Sequence, residues 1–159
     1  MRILGIDPGS QITGYGIIEG YGSRCRHIDN GVIRPKTTAT YSARLHHIYH
    51  QLLEVIATYQ PNEVAIESLF YAKNPKSTLQ LGQARGVAIL AVTEAGLPLH
   101  EYSTRLVKQS VVGHGNATKA QVQYMTAKLL QLPAVAAEDA ADALAVALLH
   151  AQQHRFCDH

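Results

Sequence analysis

The chain reads as an α/β protein built on a five-stranded mixed sheet, three strands antiparallel and two parallel, with helices on its faces. Two observations predict this. The first third alternates short apolar runs with glycine-rich breaks, the pattern of an antiparallel meander. From Tyr41 onward, stretches with apolar residues at three- and four-residue spacing alternate with short apolar runs, and alternating helix and strand builds parallel pairs through crossovers. The 159 residues, 47% hydrophobic and 16% charged, suffice for one domain with a proper core. A single domain is expected over residues 1–154, with 155–159 as a short tail.

Each element has its own reason. Arg2 to Ile6 is a short apolar run, read as a buried strand with Asp7 at its end, and Pro8-Gly9-Ser10 breaks it. Residues 13–19 form the next strand, closed by Gly20-Tyr21-Gly22-Ser23. The third strand occupies 24–34, with a polar break expected at Asp29-Asn30-Gly31. Leu45, Ile48, Leu52, Ile56 and Tyr59 then mark an amphipathic helix ended by Pro61. Val64-Ala65-Ile66 is a strand carrying Glu67 at its lip.

A helix over roughly 76–95 follows, with Gly82 and Gly86 in its interior. Interior glycine costs about 1 kcal/mol relative to alanine. Two of them four residues apart point to a face of close approach, within the core or across a dimer. Pro98 to Tyr102 is the last strand, and Ser103 or Thr104 caps a short helix to about Val112. After the loop Gly113 to Thr118 come a helix over 118–131 and an alanine-rich helix over 138–153.

Composition excludes several classes. The net charge is only +2, from 14 basic and 12 acidic residues, with 9 histidines able to add charge below neutral pH. A nucleic-acid surface would therefore need its basic residues gathered on one face. Cys25 and Cys157 fit no metal or disulfide spacing and read as free thiols of a reducing cytoplasm. Asp7 stands where a signal segment would be apolar, and no apolar run approaches the length of a membrane span.

The chemistry lies in four acids. A carboxylate at the lip of a buried strand is costly to keep ionised without a cation or donors beside it. Asp7 and Glu67 both sit there, and Asp139 and Asp142, three apart on a helix, share one face that continues through Ala143, Val146 and His150. Singly each has a plain explanation: a turn, a solvated loop, or a helix N-terminus complemented by acids. Together they form a candidate divalent-metal site. Two such ions, about 4 Å apart, hold the attacking and leaving oxygens of a phosphodiester displacement, and magnesium prefers carboxylate and water oxygens. Glu138 points about 100° away from Asp139 on a helix and is left outside the set.

Six blocks carry a family resemblance: Ile3 to Gly9, Ala65-Ile66-Glu67, Phe70 to Asn74, Leu81 to Gly86, Val107 to Gly113, and Asp139 to Ala145. In this order they resemble the RuvC family of bacterial Holliday-junction resolvases over residues 1 to about 150. The resemblance implies a ribonuclease H-like fold, a homodimer, Mg2+ dependence (two ions per site, with Mn2+ able to substitute), and paired nicks across four-way junction DNA. It also implies 5′-phosphate and 3′-hydroxyl ends, roles in recombination and repair in the cytoplasm, and a branch-migration motor complex as partner.

By position, Asp7, Glu67, Asp139 and Asp142 match the metal-binding acids, Lys108 and Lys119 match basic residues near the cleaved strand, and Phe70 matches an aromatic on the junction-facing loop. Tyr71, Lys73, Asn74, Lys76, Arg85 and Arg105 are further candidate DNA contacts. Some relatives carry histidine at the place of Asp142, and Ser68 and Tyr71 depart from the residues usual there.

Other readings stay open on the residues themselves. A related nuclease acting on RNA and a non-catalytic junction-binding protein both share the fold. An actin-like ATPase also places Asp-x-Gly after a first strand, but it needs two such domains.

Overall fold

The structure, a computed structural model, describes residues 1–68 and 73–154. The elements are β1 (Arg2–Asp7), β2 (Thr13–Tyr21), β3 (Arg24–Ile33), α1 (Tyr41–Tyr59), β4 (Glu63–Glu67), α2 (Pro75–Glu94), β5 (Leu99–Tyr102), α3 (Thr104–Val112), α4 (Lys119–Leu129) and α5 (Glu138–Gln153). Among the described residues the strands form one sheet in the order β3-β2-β1-β4-β5. β1–β2 and β2–β3 are antiparallel, while β1–β4 and β4–β5 are parallel. This is the ribonuclease H-like arrangement implied by the resemblance.

One expectation needs correction. Asp29-Asn30-Gly31 does not break the third strand, because β3 pairs with β2 from Arg24 to Ile33. The polar residues are accommodated by a register shift: Ile17 faces Asp29 and Ile18 faces His27, leaving Ile28 as the extra residue of a bulge. The Asp29 carboxylate accepts a hydrogen bond from the Tyr59 hydroxyl, and the absence of a side chain at Gly31 leaves room for the Tyr15 ring.

Strand alternation sorts the core into two layers. Leu4, Ile6, Ile17, Val64 and Ile66 face α1 and α2, meeting Ile48, Leu52, Ile56, Ala84, Ala88 and Val92. Ile3, Ile18 and Ala65 face the opposite way, toward α3, α4 and α5. Side chains also fix the helix starts. Thr40 caps α1, Ser103 caps α3, and Thr118 forms a capping box with Gln121 at α4.

α5 is the central element of the second layer, and Ala140 to Ala151 is buried apart from Asp142. Its approach to the sheet depends on strand glycines. A Cβ at Gly5 would lie 1.9 Å from the Ala143 carbonyl oxygen, one at Gly14 would lie 2.0 Å from that of Asp139, and one at Gly16 would lie 2.5 Å from the Leu144 side chain. The helix backbone thus rests directly on β1 and β2.

We therefore expect Gly5→Ala to destabilise the chain by about 1–3 kcal/mol or more, since backbone must move to admit the methyl. Gly16→Ala should cost less, because the obstructing atoms belong to a leucine side chain. Urea denaturation of both variants measures the difference; equal, negligible shifts would mean that α5 does not need this contact.

Candidate active site

The parallel strands β1 and β4 end side by side, so Asp7 and Glu67 emerge at the same edge of the sheet. The N-terminus of α5, held against Gly14, brings Asp139 and Asp142 to that edge. α3 and α4 add Lys108 and Lys119. All six residues line one cavity of about 260 Å³, together with Pro8, Thr104, Val107 and Val122.

The four acids crowd one another in a poorly hydrated place. Burial, then the charges of Glu67, Asp142 and Asp139, push Asp7 up to about 9 against an opposing pull from Lys119. Glu67 is raised to about 7 by burial and by Asp142, and is partly held down by a Thr104 hydrogen bond, Lys108 and Lys119. Asp142 is raised to about 6, chiefly by burial, with Lys119 and Lys108 opposing and Asp139 and Glu138 reinforcing the rise. The donor set is oxygen-rich and short of compensating positive charge, which fits hard divalent cations.

Two side chains that the sequence reading did not assign help to arrange the site. Ser103 takes the capping role at α3, leaving the neighbouring Thr104 hydroxyl to donate to Glu67 Oε2 at 3.3 Å. Glu138 is not among the residues lining the cavity, and it pairs with Lys119. This pairing is the largest contribution raising the Lys119 ammonium above its ordinary value. A sequence signal existed for Thr104, a hydroxyl directly beyond the strand neighbouring Glu67. The Glu138–Lys119 pair joins two helices and had none.

The remaining candidates separate. Lys73 and Lys76 are exposed beyond β4, and Arg105 is exposed on α3. Asn74 is exposed, but its side-chain oxygen caps α2 by accepting from Ser77 N at 2.9 Å. Arg85 is turned inward: its guanidinium pairs with Glu101 at 2.8 Å and its side chain is only 11% exposed. That ion pair joins α2 to β5. Phe70 and Tyr71 fall outside the described residues.

Residues 3–150 match the family model described as crossover junction endodeoxyribonuclease RuvC. Among curated proteins, the chain is 56% identical over 151 residues to the crossover junction endodeoxyribonuclease RuvC of Geobacter metallireducens, covering 95% of this chain and 92% of that one. It is 58% identical to the protein of that name from Syntrophotalea carbinolica, covering 95% and 94%. Among solved structures it is similar to T. thermophilus RuvC in complex with Holliday junction substrate, at TM-score 0.91 and 33% identity, covering 99% of this chain and 96% of that one. A second Thermus thermophilus RuvC structure matches at TM-score 0.86 and 34% identity, covering 99% and 97%.

The acid cluster has a pH signature. Asp7, Glu67 and Asp142 bind protons more tightly folded than unfolded, so between their ordinary values near 4 and their folded values of about 6 to 9 the unfolded state holds fewer protons. Their contribution to stability is complete at low pH and is lost as pH rises through that range. Metal-free protein should therefore lose melting temperature from these groups from about pH 4 upward, with the last of the loss at about pH 9 where folded Asp7 ionises. Added Mg2+ should offset the loss increasingly with pH and release protons as it binds. Calorimetry across the range tests this; a magnesium effect independent of pH would count against the acids as the cation's ligands.

Proposed function

Because the chain belongs to the RuvC family of crossover junction endodeoxyribonucleases, we propose that it resolves four-way DNA junctions by hydrolysing one phosphodiester in each of two symmetry-related strands. The observation that carries this reading is the convergence of Asp7, Glu67, Asp139 and Asp142 with Lys108 and Lys119 in a single cavity. The reading includes action in the cytoplasm, in recombination and repair, beside a branch-migration motor complex. Among the described residues no helix is long and apolar enough to cross a membrane.

The roles divide by chemistry. Asp7, Glu67, Asp139 and Asp142 would hold Mg2+, two ions per site, with Mn2+ as a substitute. Held by these carboxylates, divalent cations would supply Lewis acidity and neutralisation of the charge developing on the phosphate. Thr104 holds the Glu67 carboxylate in orientation. Lys119, kept protonated beside Glu138, and Lys108 attract the scissile phosphate and limit the repulsion that four acids impose on it. Water attacks in line, leaving a 5′-phosphate and a 3′-hydroxyl. Lys73, Lys76 and Arg105 contact backbone phosphates, which positions the duplex arms without reading bases. In the same reading Phe70 stacks on a base unpaired at the junction centre, with Tyr71 and Asn74 beside it.

Two symmetric nicks require two sites about a two-fold axis. What supports a dimer is one face of α2. Leu79 is 68% exposed and Leu90 55% exposed. Gly82 and Gly86 lie between them, with no described atom within 4 Å of a Cβ built at either. Small residues flanked by exposed leucines suit close helix packing against a second copy.

A synthetic four-way junction and a matched linear duplex, each with and without Mg2+, test the reaction. Cleavage of the junction alone, and only with the metal, is expected. Asp7→Asn should lower cleavage by orders of magnitude while keeping junction affinity, since repulsion of phosphate is relieved; near-normal nicking by this variant would sink the assignment. Phe70→Ala should reduce cleavage with little change in melting temperature, because base stacking contributes about 1–3 kcal/mol to DNA binding and nothing to folding.

The dimer has its own test. Sedimentation of the wild type at micromolar concentration should show a dimer. Gly86→Leu should shift it toward monomer without unfolding it, since no described atom lies within 4 Å of a Cβ built there. A wild-type monomer would refute the paired-site reading.

A further inference from the structure

A second ligand cluster lies at the opposite end of α5. Glu63 begins β4, and His100 sits on the neighbouring β5, where it pairs with Ala65. His150 lies in the last turns of α5 and His154, four residues on, is its C-cap with helical backbone angles, so the two share a face. His150 is more than two turns from Asp142, about 12 Å along the helix axis.

The cluster is compact. Glu63 Oε2 lies 2.6 Å from His150 Nε2, 3.1 Å from His154 Nε2 and 3.2 Å from His100 Nε2. His150 Nε2 and His154 Nε2 are 3.2 Å apart. One carboxylate oxygen therefore faces three imidazole nitrogens. Hydrogen bonding does not use them all: His100 Nε2 is buried and makes no hydrogen bond among the described residues despite its proximity to Glu63. His150 is 2% exposed, and its other ring nitrogen, Nδ1, lies 2.6 Å from the Tyr102 hydroxyl.

We propose that Glu63, His100, His150 and His154 form a structural zinc site, separate from the acids of the active site. Zinc ligands at about 2.0–2.1 Å in a tetrahedron are about 3.3 Å from one another. Glu63 Oε2, His150 Nε2 and His154 Nε2 lie 2.6–3.2 Å apart and form a group compact enough to hold a metal ion, so small outward movements of these side chains admit the ion. His100 Nε2, 3.2 Å from Glu63 Oε2 but outside that group, completes the set by a larger rotation of its ring. Three imidazoles and one carboxylate suit a borderline cation such as Zn2+ and disfavour Mg2+, which selects oxygen. The Tyr102 oxygen accepts from His150 Nδ1–H, which directs the Nε2 lone pair at the metal. Four protein ligands leave no open position, so the ion would tie α5 to β4 and β5 and take no part in phosphodiester chemistry.

Zinc titration of metal-free full-length protein in excess Mg2+, against a competing chelator, tests the site. The magnesium occupies the acids. Expected are one tightly bound Zn2+ per chain and a melting temperature that rises with zinc. His154→Ala and Glu63→Gln should each weaken binding at least about 100-fold, and Tyr102→Phe about 10-fold, in keeping with losses seen on removing ligands and their supporting partners. Asp142→Asn should leave zinc affinity unchanged.

His154 is half-buried at the end of the helix, so its removal spares the core, which circular dichroism verifies. The variant also keeps Cys25, Cys157 and the remaining histidines. Zinc affinity unaltered by His154→Ala, dependence of that affinity on Asp142, or no zinc binding in excess Mg2+ would each overturn the proposal, leaving a hydrogen-bonded histidine–glutamate cluster.

Discussion

The rest of the molecule depends on the contact between α5 and the strand glycines. Gly5, Gly14 and Gly16 have no side chains where the backbone and side chains of Asp139, Ala143 and Leu144 press on the sheet. Helix and sheet normally keep a side-chain layer between them. Removing it on the sheet side lets the N-terminus of α5 reach the carboxyl edge of the strands, which is where β1 delivers Asp7 and β4 delivers Glu67. The alanines of α5 serve the same end, since a helix buried from Ala140 onward must be narrow to fit among β1, β2, α3 and α4.

Close approach makes the site possible and also makes it unfavourable without a counter-charge. Asp7, the most displaced of the carboxyls, is raised to about 9 by burial and by its three acidic neighbours. Lys119 relieves part of that, yet it is itself shared with Glu138. The unbalanced negative charge is the physical basis for selective affinity toward divalent cations. Natural proteins keep such destabilised clusters where function requires them, and the large apolar layers on both faces of the sheet offset the cost.

α5 carries polar chemistry at both of its ends and almost none between. Acids occupy the first turns, imidazoles the last, and the intervening residues are apolar. At each end β4 supplies a glutamate, Glu67 at one and Glu63 at the other. The helix and strand act as a rigid pair, and a tie at the histidine end resists sliding of α5 along the sheet, the motion that would separate Asp139 and Asp142 from Asp7.

The sequence by itself determined the order and type of the ten elements among the described residues, the mixed sheet, and which four acids share one cavity. These are legible because periodicity, caps and breaks are local, and because unusual residues at strand ends stand out against apolar runs. The continuous β3 was not legible, since a bulge and a Tyr59 partner absorb the polar residues Asp29 and Asn30 from across the fold. Nor was the inward turn of Arg85 toward Glu101, or the Glu138–Lys119 pair, each of which joins residues on different elements.

The strand glycines were visible as letters, but their purpose requires knowing what lies above the sheet. The histidines read as scattered titratable charge, and only the parallel register of β4 and β5 with the packing of α5 places three of them around one carboxylate. Local chemistry is written along the chain, whereas which distant groups share one small volume is decided by packing.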